Sequence, residues 1–563
     1  MMRITRNYAF KSNMPRSRRL AAAVFLACLV VVAASAQFVA NDLSDPVYRY
    51  IDVWIAKGLV DTPFMLRPYS PEVIRAMLRQ VAERGDDWDK ASASMLLGGI
   101  ADSYIGLGLS HESQAKLSNE SGSSEYYGGT GPFIQVDAKL SGTIWVSGNM
   151  AIDFADQKNT SGPVDTMPAG EYPTKDLVSD SGNIPLKGIN GNKLTPRLSL
   201  DSELFAGGEN LWISTGYSRS SFGPFFDNGV VLGPDTPAAP NWTLNYRWHK
   251  WRYSMILLDL TKSVGPYQDL TGSPFQVDPT ADKYLIFHSF SYAVTPAVDI
   301  SIFESVTWAS SFEPLYLTPW ANYFVLQSVS AFSDNSIAGL YATWRFAGNL
   351  STKAQLYIDD LGFNNLVRLD LTTVKILAAG EIGLDWAPSG SAMKMLSANY
   401  TLVTPYFGAH HFTAPDENDY TQNGQPIGAD LLPNSDRVEI KALFLPTPTV
   451  EVTPLLRLIR HGDASNGTGD SGNGGLFDSG WTSSGIVYQE STHFLTQSVL
   501  QYTAQAQIGA SVRTKVAGLD VKLSGSYTFQ FTANEMPEST GGEPQFGVNE
   551  IANFLSLGVS VLF

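Results

Sequence analysis

Alternation with a period of two, sustained well past the length of an ordinary strand, is what most limits the folds open to this chain. In 519–531, Leu519, Val521, Leu523, Tyr527, Phe529 and Phe531 fall on one side with Gly525 among them. Asp520, Lys522, Ser524, Ser526, Thr528 and Gln530 fall on the other. A strand sends alternate side chains to opposite faces, so one face here is apolar and the other polar. Residues 499–513 repeat the pattern, with Leu500, Tyr502, Ala504, Ala506, Ile508, Ala510 and Val512 set against Gln501, Thr503, Gln505, Gln507, Ser511 and Arg513. The final stretch does so again: Leu555, Leu557, Val559, Val561 and Phe563 oppose Ser556, Gly558 and Ser560. Strands of soluble proteins run to about 5–6 residues, whereas a strand crossing a bilayer needs about 9–11, and these runs reach the second length. A short turn at 515–518 joins the first two runs, and a Gly-, Pro- and Glu-rich stretch at 532–550 precedes the last. Short turns at one end and long loops at the other are the asymmetry of a membrane barrel. The expected fold class is all-β, a transmembrane antiparallel β-barrel.

Further hairpins are predicted at 133–156, 197–218, 283–308, 337–360 and 436–459, and with 242–260, 375–400 and the C-terminal runs the count reaches 16 to 18 strands. The pattern begins at about Ile100 or Phe133. Loops rich in Gly, Ser, Asn and Pro separate the strands at 157–196, 220–241, 410–435 and 462–491. Upstream, Arg16, Arg18 and Arg19 precede an apolar run that ends in Ala34-Ser35-Ala36, the pattern of a secretory signal. Sec-type export with cleavage near Ala36 is expected, from a start at Met1 or Met14. The one cysteine, Cys28, lies inside this segment, so the mature chain has neither disulfide nor thiol chemistry.

Three short helices should follow. Ser44 can cap the first, with Asp45 and Pro46 in its first turn and Gly58 at its end. Ser70 caps the second with Pro71 at its first position, and the third covers about 86–98. The expected organisation is a signal peptide at 1–36, a periplasmic helical bundle at 37–100 docked on the barrel, and an outer-membrane β-barrel with long extracellular loops at 101–563. Charged residues make up 16% of the chain and aromatics 12%, which suits a barrel with aromatic girdles. Without the first 36 residues, 32 cationic side chains stand against 54 acidic ones, a net charge of −22 that argues against nucleic acid.

Several stretches, in order along the chain, carry a resemblance. They are DPVYRYIDVWIAKGLVD with LRPYSPEVIRAMLRQV, GYSRSSFGPFFDNGVVLG, SIFESVTW, DNSIAGLYATWRF leading to LYIDD, YTLVTPYFGAHH, LLPNSDRVEIKALF and LLRLIRHGD. The mature chain resembles the capsule-assembly Wzi family of outer-membrane proteins. The resemblance implies an 18-stranded barrel, a helical bundle at its periplasmic end, and a lectin-like role in holding capsular or other surface polysaccharide. It also implies that the aromatic-ended last strand, closing on Phe563, is read by the barrel-insertion machinery. The chain departs from the family where a Trp-Trp-Gly-Pro type run is frequent: it reads Ser221-Phe222-Gly223-Pro224-Phe225.

The expected function is a non-enzymatic, monomeric outer-membrane barrel that anchors surface polysaccharide, with outer-membrane lipids around it. The alternative is a porin-like channel for small polar solutes; a plugged lumen favours the first and an open one the second. Candidate glycan contacts are Trp242, Tyr246 and Trp251 in NWTLNYRWHKW, Tyr316 and Trp320 in LYLTPW, and Arg345. Against stacking stands the interfacial aromatic belt of any membrane barrel. Arg437, Arg457 and Arg460 are weighed between acidic glycan or phosphate and simple lumen lining. Glu304 shares a strand face with Ile300, Ile302 and Val306; since a carboxylate facing lipid is costly, it is expected to turn to the lumen and pair with an arginine. Asp359 and Asp360 point to opposite faces and suit a rim or turn, not acid/base work. His410, His411 and His461 read as loop histidines, and no metal or other cofactor is expected. No nucleophile elbow, P-loop or dinucleotide fingerprint occurs in the right context.

Overall fold

The computed structural model describes residues 38–61, 63–99, 103–119, 124–158, 186–187, 193–225, 229–260, 282–309, 311–319, 322–327, 334–346, 349–361, 376–409, 418–422, 425–462, 481–482, 485–486, 494–535 and 546–563. The export signal and its cleavage site lie outside the described residues.

Helices α1 (Pro46–Lys57), α2 (Pro71–Arg84) and α3 (Asp87–Gly99) come first. Asp45, one residue after the expected Ser44, is the cap of α1: its carboxylate accepts the Val47 N–H at 2.9 Å. Ser44 instead donates to Asp42. Ser70 caps α2 as expected, and Gly58 closes α1. Among the described residues no helix is long and apolar enough to cross a membrane.

Eighteen antiparallel strands then close into a barrel. They are β1 (Ser103–Ser118), β2 (Glu125–Ser141), β3 (Ile144–Lys158), β4 (Lys193–Gly207), β5 (Leu211–Ser218) and β6 (Ala239–Trp248). Next are β7 (Trp251–Leu260), β8 (Lys283–Thr295), β9 (Val298–Ala309), β10 (Asn335–Phe346), β11 (Leu350–Leu361) and β12 (Ile376–Trp386). The circle ends with β13 (Met393–Val403), β14 (Ser435–Thr447), β15 (Val450–His461), β16 (Gln501–Val516), β17 (Leu519–Ala533) and β18 (Asn549–Leu562). The pattern therefore begins at Ser103, and closure is made by β1 on β18 from Gly108↔Leu562 to Ser118↔Ala552. Backbone groups at an open edge would stay unpaired in lipid, so closure is what a membrane solvent demands.

The faces follow the alternation. Leu555, Leu557 and Val559 point outward and are exposed, as are Tyr527, Phe529 and Phe531, while Thr528, Gln530 and Thr532 point inward and are buried. Connections of two to six residues gather at one end, and those at the other run from six to 39. The turn between β16 and β17 shows why the short ones are tight: Ala517 and Gly518 both hold left-handed φ, 54° and 89°, as a two-residue hairpin requires. The helical segment sits at the short-turn end.

Candidate functional site: a lumen filled from both ends

The helical segment docks into the barrel mouth. Val47, Ile51 and Trp54 of α1 and Leu78 of α2 share one apolar cluster with the wall residues Trp145, Phe205, Trp212, Leu443 and Leu445. Polar clips ring this core. Arg49 pairs with Glu451 at 2.9 Å, Trp145 Nε1 donates to Glu72 at 3.1 Å, and Asn41 N donates to Ser147 Oγ at 3.3 Å. The Arg75 guanidinium lies 4.2 Å from the centre of the Trp145 ring, and the Lys394 ammonium 3.9 Å from that of Trp88. Partners on β3, β13 and β15 spread these clips around the mouth.

From the long-loop end, the segment after β5 turns inward. Ser221–Phe222 pairs antiparallel with Leu66–Arg67, and Gly223 N donates to Met65 O at 3.1 Å. Phe222 sits in an aromatic nest, its ring centre 4.4 Å from Phe287, 5.2 Å from Phe303 and 6.0 Å from Tyr341. Phe225 lies under the Lys353 ammonium at 4.7 Å. A second inward segment follows β13. Gly233 N donates to Ile427 O at 2.9 Å, Tyr420 Oη to Val231 O at 2.5 Å, and Gln422 Nε2 to Ala238 O at 3.2 Å. Val230, Val231, Leu232, Tyr420, Ile427 and Leu431 join Phe222 and the inward wall in one buried apolar cluster.

Charged wall residues are neutralised in place. Arg252 pairs with Asp299, which also accepts Tyr341 Oη at 3.0 Å. Lys353 meets Asp385 at 3.0 Å, Arg437 meets Asp430 at 3.0 Å and Arg457 meets Glu439 at 2.6 Å. Gln355 and Glu381, opposite one another on β11 and β12, are buried with their terminal side-chain atoms unbonded. Between the helical segment and the inward loop remains a cavity of about 110 Å³, lined in part by Asp52, Arg67, Phe225, Lys353 and Asp385.

The expected glycan contacts are dispersed. Trp242, Tyr246 and Trp251 face outward on β6 and β7, where Trp251 packs on Tyr292 at 4.5 Å. With Trp248 and Trp344, Tyr246 and Trp251 form an aromatic girdle at the short-turn end, opposite the long loops, whereas Trp242 lies six residues along β6 toward the long-loop end. Arg345 sits at the short-turn end and donates to Ile55 O at 3.2 Å, which makes it a clip on α1. Tyr316 is 1% exposed, donates to Asp334 at 2.5 Å and packs on Trp308, so it offers no free face to a sugar. Trp320, His410 and His411 lie outside the described residues. Arg437 and Arg457 line the lumen, whereas Arg460 faces outward.

Glu304 corrects the expectation drawn from its cost in lipid. It faces outward, not toward the lumen, and its partner is His288 at 2.9 Å, not an arginine. Residues of 311–319 and 322–327 fold over this outer wall: Tyr323 N donates to Glu304 at 3.0 Å, and its ring stacks on His288 at 4.2 Å. The carboxylate is thereby shielded from lipid by protein. Asp359 accepts the Gly408 N–H at 2.8 Å, a rim role as expected. His461 meets Ser435 Oγ at 2.6 Å, but both are buried and, among the described residues, no carboxylate bonds the ring; this is a clip between β14 and β15. Among the described residues no group of side chains is arranged to hold a metal ion.

The residues that fill the lumen, Phe222, Phe225, Val230–Leu232 and Tyr420, stood in stretches read as loops. Their signal was apolar side chains where loops are usually polar.

The fold and its interior define a class: an antiparallel outer-membrane-type β-barrel whose described lumen is filled. No protein-family model matches the sequence, and no curated protein matches it. Among solved structures the chain is similar to Wzi, an outer-membrane protein involved in group 1 capsule assembly in Escherichia coli and described as a carbohydrate-binding β-barrel. That match covers 93% of this chain and 99% of that one, with a TM-score of 0.52 and 12% identity. OccAB2 of Acinetobacter baumannii matches over 82% of this chain and 98% of its own, with a TM-score of 0.43 and 9% identity. OprD of Pseudomonas aeruginosa matches over 82% and 95%, with a TM-score of 0.37 and 9% identity. At these identities the likeness is one of fold.

Proposed function

We propose that this protein is a non-enzymatic anchor for surface polysaccharide, held in the outer membrane with its helical segment toward the periplasm. The observation that carries this reading is the filled lumen. A channel needs a wet path, and here the described interior is occupied by an apolar cluster built from two inward segments. A barrel that does not conduct presents its outer end as a binding surface. The shared fold with a carbohydrate-binding barrel supports the same reading. The glycan contacts then belong to the long connections, 159–192, 261–282 and 462–500, in place of Trp242, Tyr246, Trp251, Tyr316 and Arg345. Those five serve the girdle, the outer wall and the mouth.

A second reading keeps one specific support. Gln355 and Glu381 are buried without hydrogen bonds beside the inward loop, an unfavourable arrangement that loop departure would relieve. On that reading the protein is a gated channel for small polar solutes. Single-channel recording of the refolded mature protein in planar bilayers separates the two. The anchor reading expects a closed barrel that retains polysaccharide in a pull-down; stable open conductance without glycan retention overturns it.

A further inference from the structure

We infer that the outer wall at β14–β17 is a binding site for one lipid with a phosphorylated headgroup, drawn from the leaflet at the long-loop end. The site is built in rows by strand register. The top row is Asp436, Arg460 and Tyr502. Below it stand Val438, Leu458, Ala504 and Phe531, and below those Ile440, Leu456, Ala506 and Phe529. Leu458, Leu456, Phe531 and Phe529 are all exposed on the outer face. The two alanines between them are short, so a trough runs down β16 with leucines on one wall and phenylalanines on the other. Exposed Ile508 ends it below. Its upper part is a cavity of about 460 Å³. From Tyr502 to Ile508 the trough is ~20 Å long at ~3.4 Å per residue, the scale of an acyl chain.

The head of the trough is polar and held rigidly. Arg460 Nε donates to Asp436 Oδ1 at 2.9 Å, and Nη2 donates to Asp436 Oδ2. Tyr400 Oη also donates to Asp436 Oδ2, at 2.9 Å. Asp436 is nearly buried, but the Arg460 side chain is 49% exposed, and its Nη1 has no protein hydrogen-bond partner among the described residues. A guanidinium clamped along one edge presents the other as a fixed pair of donors, the geometry that suits phosphate oxygens. Arg460 is the penultimate residue of β15, at the rim where chain enters a long loop. A charged side chain on the lipid wall is tolerable at that headgroup depth and costly at the midplane. Cation above and chain-sized trough below match one amphiphile, and an ion or a soluble sugar would use only the upper half.

The test is lipid retention. The mature protein is reconstituted in nanodiscs of zwitterionic phospholipid doped with diphosphorylated lipid A, then exchanged into mild detergent, and bound lipid A is counted by mass spectrometry. Wild type should keep about one lipid A per barrel, and excess inorganic phosphate should not displace it. Ala504→Phe, which fills the trough, and Arg460→Gln, which removes the cation, should each lower retention roughly tenfold, the effect of one lost charge-assisted bond or its apolar equivalent. Ala342→Phe, on the outer face of β10, should change nothing. Heat-modifiable gel migration verifies that every variant is a folded barrel. Retention by Ala504→Phe equal to wild type overturns the site, as does release by free phosphate. Loss in Ala504→Phe with none in Arg460→Gln overturns the headgroup assignment.

Discussion

Lys57 and Asp89 form a buried ion pair at 2.9 Å inside the helical segment, and Trp54 Nε1 donates to the same carboxylate at 3.0 Å. Removing Asp89 leaves the buried Lys57 ammonium with only the partly exposed Asp86 carboxylate, at 3.3 Å, and leaves Trp54 Nε1 without its acceptor. Asp89→Ala should therefore destabilise the helical segment by about 3 kcal/mol, read as accelerated proteolysis within 38–99 while the barrel stays resistant. Gly223 is the corresponding residue on the loop side. Its φ is +122°, and a Cβ there would lie 2.5 Å from Gln355 Oε1. Gly223→Val should strain the inward loop by roughly 1–3 kcal/mol and appear as flickering conductance in planar bilayers. Trp251 makes the contrasting case. On the girdle reading, Trp251→Ala lowers barrel stability and leaves polysaccharide retention unchanged; a selective loss of retention would return it to the glycan site. Glu304 shows where legibility fails at this scale. The period-two pattern put it on the face of Ile300 and Ile302, and that face is the one it occupies. The desolvation argument moved it to the lumen because one strand cannot reveal a distant segment that folds over it.

Elements differ sharply in how far they could be read. The strands were legible because lipid on one side and polar lumen on the other impose a strict alternation along β16, β17 and β18. The first strand was harder: His111 and Ser113 interrupt the apolar outer face of β1, and Gly106 and Gly108 leave its inner face without side chains. Helices α1 and α2 announced themselves by their Pro and Gly punctuation. The inward segments had no period to read, since a ribbon of two residues, Ser221–Phe222 on Leu66–Arg67, is too short for one. The candidate site was hard to place from sequence for a related reason. Aromatic density marks girdle and glycan platform alike, and only three-dimensional position separates them. A pH prediction belongs to the start of α3. Burial pushes the Asp86 carboxyl up, but the Asp89 N–H, at 3.0 Å, and the Lys57 ammonium outweigh it, and its pKa is lowered. The folded value lies below the unfolded one of about 3.9, so this stabilisation is complete above that pH. It is lost as pH falls through the folded value. Protease protection of α3 should decline in that acid window and be flat from neutral pH down to about 5.

For the whole molecule, occlusion is a property of three chain segments that meet far from where they start. Replacing 222–233 with a flexible Gly-Ser linker should leave the eighteen-stranded wall intact and convert a silent barrel into a conducting one, measured in planar bilayers. Continued silence would place the seal in the helical segment or in the inward segment after β13. The ribbon between Leu66–Arg67 and Ser221–Phe222 also has a mechanical meaning. One of its strands is tethered to the helices at the short-turn mouth, and the other is tethered to a connection that begins at the opposite rim. Tension on the outer connection is therefore borne by backbone hydrogen bonds to the inner domain, deep inside the wall. The two sides of the membrane are joined by a coupling rod, and displacement at either end must be shared by the other or must break it.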